Sequence, residues 1–185
     1  METKSKRRVS VFDLCLIPVF VAVIAAMAQI RVPVIPPVPF TMQTFAIPLT
    51  GAVLGAKKGA VAVAVYLLLG IIGVPVFNGF TGGPAMIVGP TGGFLLAFPL
   101  FAFIVGITAG KGKRIWLGLG LVIGTITLFA FGGIVWPLLR GFASSLQTAF
   151  FVWVAPFLFG DLIKITMVFV IAPEIRKVLS NIRSR

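Results

Sequence analysis

The hydrophobic pattern divides the chain into six apolar runs, which cover residues 11–30, 44–55, 59–73, 92–110, 115–136 and 147–172. A transmembrane helix needs about 20 apolar residues and at least about 17, and all runs except 44–55 and 59–73 provide them. Lys57 and Lys58 separate these two runs, so the pattern predicts two brief helices that meet at a surface. Short elements at membrane depth survive when they are buried in protein or line a cavity. The pattern therefore already indicates a pocket.

Composition places these runs in a membrane. Of the 185 residues, 59% are hydrophobic and 11% are charged, whereas a soluble domain carries about 25% charged residues. We expect an all-α membrane protein with six transmembrane helices. The length predicts one integral membrane domain over residues 1–185, with about 10 residues at the start and about 12 at the end as cytoplasmic tails.

The distribution of basic residues predicts the orientation. With the N-terminus in the cytoplasm, all Lys and Arg of the loops and tails fall on the inner side except Arg31 and Arg140. Cytoplasmic loops are enriched in Lys and Arg, so we expect both termini in the cytoplasm. Six spans satisfy this pattern, as do four spans with two re-entrant hairpins. Because the basic residues cluster at helix ends, orientation accounts for the net charge of +12, and no nucleic-acid partner is expected.

The sequence lacks the residues that several kinds of chemistry require. There is no histidine, and the one cysteine is Cys15, so we expect no internal disulfide, no metal site and no cofactor. The segment 89–93 (GPTGG) lacks the lysine and the spacing of a nucleotide-binding Walker motif. Without a nucleophile–base pair, the chain is not expected to be an enzyme.

The first run carries two signals. Its basic start and Ala26-Met27-Ala28 imitate a secretory signal; we interpret the run as an uncleaved first helix, with a cleaved signal as the alternative. Ala22 and Ala26 lie one helical turn apart, a small-residue pattern that lets another helix approach closely. That helix belongs either to a partner or to the same bundle.

Asp161 and Lys164 are the only charges in the run 147–172. A charge at the bilayer centre costs about 2.5–3.5 kcal/mol, so both must face a protein interior or a wet cavity. Residues three apart share one helix face. The pair is either a structural ion pair that holds two helices in register or a polar binding site for a solute. A third hypothesis, a stand-alone secondary transporter of a small solute in which Asp161 carries a proton, follows from the same rule.

Two segments between runs predict functional loops. Residues 31–43 contain four prolines, which make an extended and stiff segment. It is either a rigid spacer or an apolar lid that carries Thr41 and Gln43 to a pocket. Residues 78–93 contain six glycines and no charge, and glycine lets a backbone approach a ligand closely.

Three motifs together resemble one family: VPFTMQT at 38–44, GVPVF at 73–77 with GPTGGF at 89–94, and GDLIK at 160–164. In this order they are similar to BioY, the biotin-specific substrate-binding (S) component of energy-coupling factor (ECF) transporters. The segments LGAKKG at 54–59 and LLGIIGVPVF at 68–77 are similar as well. The resemblance covers about residues 11–173.

The resemblance implies a function and partners. It implies high-affinity capture of biotin in an outward-facing pocket, capped by the first outer loop, in a multi-pass protein of the bacterial cell (inner) membrane. It also implies a transmembrane coupling protein and two cytoplasmic ATPases as partners. The family's docking pattern for the coupling protein falls on Ala22 and Ala26.

The resemblance also implies site residues. Asp161 and Lys164 correspond to the polar floor of the biotin site, Asn78 contributes from the second outer loop, and Thr41 and Gln43 match the lid motif. A carboxylate suits the two N–H groups of the biotin ureido ring, so we assign them to Asp161. Lys164 is left with three roles, namely neutralising Asp161, reaching the ureido oxygen or meeting the valerate carboxylate.

Aromatic residues are the candidate walls for the apolar part of biotin: Phe40, Tyr66, Phe77 and Phe94. Ordinary packing is the alternative for each, although ligand pockets are mostly apolar. The family often has tyrosine at the position of Phe94, so one hydroxyl contact is missing here.

Overall fold

The computed structural model describes residues 11–35 and 38–183, which are mostly helical. The elements are α1 (Val11–Gln29), β1 (Arg31–Ile35), β2 (Val38–Thr41), α2 (Gln43–Leu54), α3 (Ala56–Ile71), α4 (Ala85–Val88), α5 (Gly92–Ala109), α6 (Arg114–Leu128), a π-helical turn (Phe129–Val135), α7 (Trp136–Leu139), α8 (Leu146–Trp153) and α9 (Ala155–Arg183). The basic start of the signal-like segment and most of the predicted N-terminal tail lie outside the described residues.

The two short runs are confirmed as short helices. Helix α2 has 12 residues and α3 has 16. They meet at Gly55, whose φ of +83° lies in the left-handed region that glycine adopts without strain. Lys57, in the first turn of α3, is exposed.

The last run differs from the prediction of one continuous helix ending at residue 172. It forms two helices, α8 and α9, with a break at Val154 (φ −121°, ψ −60°). Pro156 explains the break, because its nitrogen has no hydrogen to continue the bonding of α8 and its ring suits the first turn of a new helix. Helix α9 then continues past Pro173, beyond the apolar run, to Arg183.

The proline-rich loop is extended, as predicted, but it pairs with itself. Strands β1 and β2 form an antiparallel hairpin in which Arg31 lies opposite Thr41 and Val32 opposite Phe40. The fold is therefore helical with one small two-stranded sheet. Pro36 and Pro37 lie outside the described residues.

Helix α5 is the centre of the bundle and packs against α2, α3 and α6. Close contact depends on glycine: a Cβ at Gly51 of α2 would overlap the backbone of Ala102 on α5, and one at Gly106 of α5 would overlap Ala56. Small residues let helices approach when lipid offers no hydrophobic drive for association. These contacts fix the end of α2 and the start of α3 beside α5.

Three helical stretches of the described chain are long and apolar enough to cross a membrane: Gly92–Ala109, Arg114–Leu139 and Ala155–Ile182. Two shorter apolar helices cover Cys15–Gln29 and Gln43–Leu54. Large apolar side chains such as Leu139 and Phe159 are exposed, as lipid-facing side chains would be. The count of six spans and the cytoplasmic position of both termini stay predictions.

The glycine contacts give a test of the packing. Gly51→Ala should destabilise the bundle by about 1–3 kcal/mol, the usual cost of overpacking, because the new methyl group meets the rigid backbone of Ala102. Gly118→Ala is the matched control, since its Cβ makes only ordinary contact with the ring of Phe169. Thermal unfolding in detergent measures both. An equal Tm for the two variants would contradict the packing account.

Candidate functional site

A cavity lies beneath the hairpin, between α2, α5, the π-helical turn and α9. Its apolar lining is Val38, Pro39, Phe40, Phe94, Leu95, Phe98, Phe129 and Phe157. Its polar lining is Thr41, Gln43, Thr44, Asn78, Thr91, Asp161 and Lys164. In the described part of the chain, the buried polar side chains are Thr41, Gln43, Thr50, Asp161 and Lys164. All of them except Thr50 line this cavity.

Lys164 is only 3% exposed, and its ammonium group is fully bonded. It donates to Asp161 Oδ1 at 2.8 Å, to Thr44 Oγ1 at 2.8 Å and to the backbone oxygen of Thr41 at 2.6 Å. These bonds use the three donors of the group. Its Nζ also lies 3.3 Å from the centroid of the Phe40 ring. Lys164 thus joins α9 to α2 and to the hairpin.

Asp161 is bonded through one oxygen. Its Oδ1 accepts from Thr44 Oγ1 at 2.7 Å and from Lys164. None of the described residues donates a hydrogen bond to Oδ2. The carboxylate is 5% exposed and lines the cavity, so Oδ2 is an acceptor that an N–H group of a bound solute can use.

Thr44 connects Asp161 and Lys164, a role that was not predicted from the sequence. Its hydroxyl accepts from Lys164 and donates to Asp161, which fixes both side chains from the first turn of α2. The signal that could have revealed it is its position within the motif at 38–44. Threonine is so common in loops and helix starts that it carries no such meaning by itself.

Asn78 reaches the cavity from the loop between α3 and α4. Thr81 closes the turn. Its backbone oxygen accepts from the backbone amide of Phe77 at 3.0 Å, and its hydroxyl donates to the backbone oxygen of Asn78 at 3.0 Å. The Asn78 side chain makes no hydrogen bond with the described residues, so its amide can donate to and accept from a solute. Gln29 ties this loop to the end of α1 through the oxygen of Phe77 at 3.1 Å and the amide of Phe80 at 2.9 Å.

Tyr66 and Phe77 do not line the cavity, so the prediction that they form its walls was wrong. They are fully buried behind it and pack edge to face, with ring centroids 5.6 Å apart. The Phe77 ring fills the space left by Gly70 of α3. The Tyr66 hydroxyl accepts from Gln43 Nε2 at 2.8 Å and donates to the oxygen of Val76 at 3.2 Å.

Phe40 and Phe94 do line the cavity. Each faces an aromatic partner from a distant element that the sequence did not indicate. Phe40 stacks with Phe157 of α9 at 6.3 Å, and Phe94 meets Phe129 of the π-helical turn edge to face at 6.2 Å. No local pattern marks Phe129, because a single π-helical turn turns it toward the cavity.

Ala22 and Ala26 lie on α1, away from the cavity. Both are exposed and stand one turn apart. They do not pack within the bundle of described residues, so this face of α1 is open to lipid or to another protein.

The arrangement suits a small solute that is apolar over most of its surface and carries N–H donors. The cavity offers a free carboxylate oxygen, a free amide and aromatic walls. In the described ranges, no three metal-ligating side chains come together. The geometry therefore indicates binding.

Comparison with known proteins gives agreeing results. A sequence model described as the BioY family matches residues 1–181. The chain is 38% identical over 164 residues to a probable biotin transporter BioY of Pyrococcus horikoshii, covering 89% of this chain and 96% of that one. It is 41% identical over 160 residues to a biotin transporter BioY of Thermotoga maritima, covering 86% and 92%. A crystal structure described as the S-component for biotin from an ECF-type ABC transporter matches with a TM-score of 0.75 and 28% identity, over 96% of this chain and 95% of that one.

Proposed function

Because the chain belongs to the BioY family, we propose that it captures biotin as the S-component of an ECF-type transporter. The family consists of transporter components and not of enzymes. The observation that carries the proposal is the buried pair of Asp161 and Lys164, which faces an apolar cavity under a hairpin.

The ureido ring of biotin presents two N–H donors and one carbonyl acceptor. Asp161 Oδ2 accepts from one of these N–H groups, since Oδ1 is already bonded to Thr44 and Lys164. Hydrogen bonds to an ionised acceptor are about twice as strong as neutral ones. In a cavity with aromatic walls, water competes little for them.

Lys164 primarily neutralises Asp161. Its three donors are all in use, so contact with the ureido oxygen requires that it release one of its acceptors, of which the backbone oxygen of Thr41 belongs to the hairpin. Removing one member of a buried pair leaves an uncompensated charge. Asp161 therefore depends on Lys164 even where Lys164 does not contact the ligand.

The remaining contacts follow the shape of biotin. Asn78 comes from a different element than Asp161 and offers a donor and an acceptor to a second polar group of the ligand. Phe40 and Phe94 face the apolar rings and chain between the polar groups. Thr41 and Gln43 complete the lining next to the hairpin, which we propose to be the lid over an outward-facing pocket.

ATP-driven transport by an ECF-type transporter requires partners, because the sequence of this chain contains no nucleotide-binding motif. We propose a transmembrane coupling protein and two cytoplasmic ATPases in the bacterial cell (inner) membrane. The open face of α1 with Ala22 and Ala26 is the docking site for the coupling protein.

Titration of the purified protein tests the ligand. Biotin and desthiobiotin should bind, and riboflavin and thiamine should not, because only the first two carry the ureido ring. Asp161→Asn should raise the Kd for biotin roughly 10- to 100-fold, since a hydrogen bond to a charged group contributes about 1.5–3 kcal/mol and about 1.4 kcal/mol is tenfold. Glu174→Gln is the matched control, because Glu174 is exposed and, among the described residues, forms its ion pair with the exposed Arg114. Unchanged affinity in folded Asp161→Asn would refute the assigned role.

Copurification tests the docking face. Ala22→Trp should leave biotin affinity unchanged and should reduce recovery of the coupling protein severalfold, because the indole prevents close helix approach. Val122→Trp places the same side chain on exposed α6 and should assemble normally. If Ala22→Trp recovers as much partner as the control, the docking face lies elsewhere.

A further inference from the structure

A buried chain of hydrogen bonds runs between the hairpin and the loop that carries Asn78. From it we infer that Tyr66 is a positioning residue, which couples these two loops so that they move together on biotin binding. The inference rests on the proposed function for the identity of the ligand. Tyr66 does not line the cavity, so it acts through other residues.

The links are short and lie inside the protein. Thr41 Oγ1 donates to Gln43 Oε1 at 2.9 Å, and Gln43 Nε2 donates to the Tyr66 hydroxyl at 2.8 Å. The hydroxyl donates to the backbone oxygen of Val76 at 3.2 Å. Thr41, Gln43 and Tyr66 are 7%, 5% and 0% exposed. Solvent therefore offers no replacement for a lost link.

The direction of each bond is determined by its neighbour. The Thr41 hydroxyl accepts from the backbone amide of Gln43, so its hydrogen is available for Oε1. Since Oε1 is thereby an acceptor, the amide nitrogen of Gln43 faces Tyr66. Because the Tyr66 oxygen accepts there, its own hydrogen points to Val76. The chain of donors and acceptors is consistent from end to end.

Both ends of the hydrogen-bond chain reach the proposed biotin site. Thr41 belongs to the hairpin, and its backbone oxygen accepts from Lys164. Val76 lies two residues before Asn78 in the second loop. The hydrogen-bond chain therefore joins the hairpin and Lys164 to the loop that supplies Asn78 from a different part of the fold.

Packing against Phe77 explains the ring of Tyr66, but it does not explain the hydroxyl group. The chain has 18 phenylalanines and one tyrosine, so aromatic positions are otherwise filled by phenylalanine. The edge-to-face contact with Phe77 would persist with a phenylalanine at this position. Burying a hydroxyl group costs free energy unless the group is hydrogen-bonded. Both hydrogen bonds of the Tyr66 hydroxyl connect it to the two loops.

Loss of the hydroxyl should loosen the loops without removing a ligand contact. In Tyr66→Phe, Gln43 Nε2 loses its acceptor and the oxygen of Val76 loses one of its donors. Gln29 Nε2 still reaches Val76 at 3.4 Å, so the loop remains attached to α1. The loops then spend less time in the binding geometry, and the apparent affinity falls in proportion.

The test compares Tyr66→Phe with Thr50→Val. Thr50 is the matched control because its hydroxyl is fully buried and bonds only to Ala46 within its own helix. Hydrogen–deuterium exchange of the unliganded protein should become faster in both residues 38–43 and 74–81 for Tyr66→Phe and in neither for the control. The Kd for biotin should rise about tenfold, the value expected when the competent population falls to about a tenth.

Each outcome has a defined meaning. Unchanged exchange in either segment, or faster exchange with an unchanged Kd, would overturn the positioning role of Tyr66. In an Asn78→Ala background, the effect of Tyr66→Phe on Kd should shrink, because Tyr66 acts partly through Asn78; a full additive effect would also overturn the role. If the wild-type chain binds no biotin, the proposed function fails, while the exchange experiment still tests the coupling.

A second measurement covers the case in which Tyr66→Phe does not fold. Since Tyr66 is the one tyrosine of the chain, 3-fluorotyrosine gives a single fluorine resonance that reports on this hydroxyl. The resonance should shift when biotin is added to the otherwise unchanged protein. An identical resonance with and without bound biotin would overturn the inference.

Discussion

The buried contact between Asp161 and Lys164 is the constraint on which the rest of the site depends. Two charges at this depth cost more than their attraction returns unless further bonds complete them. Thr44 and the backbone oxygen of Thr41 provide those bonds. The pair therefore requires that α9, the start of α2 and the hairpin meet at one point, and that point is the floor of the cavity. An acceptor oxygen of Asp161 remains unused by the described residues, which makes the same contact suitable for a ligand.

The fold brings these elements together by placing irregular backbone at one place. Short helices α2 and α3 pack closely on α5 through Gly51 and Gly106, and the hairpin, the π-helical turn and the start of α9 surround the cavity. Non-helical backbone at membrane depth is tolerated where it is buried in protein or lines a cavity. The helices are thus interrupted at the place where the backbone lines the cavity.

Sequence reasoning succeeded where a local pattern has a single physical meaning. Two charges three residues apart in an apolar run had to share a buried face, and both line the cavity. The four prolines had to extend the loop that carries Thr41.

The break at Val154 was missed although Pro156 marks it, because the apolar run continues across it. Phe129 depends on a π-helical turn, so no local signal marked it. Thr44 lies within the motif at 38–44, but its bonds reach α9, an element far away in sequence. Tyr66 and Phe77 were misplaced because an aromatic residue carries the same pattern in a core as in a pocket wall.

The central claim is that the free oxygen of Asp161 is directed at the N–H groups of the ureido ring. Titration calorimetry with the two biotin analogues in which one ureido N–H is replaced by an oxygen tests it most directly, since shape and tail are preserved. A buried acceptor left unpaired costs about 1–3 kcal/mol, more when it is charged, so at least one analogue should bind more weakly than biotin by about tenfold or more. Binding of both analogues as tightly as biotin would contradict the account.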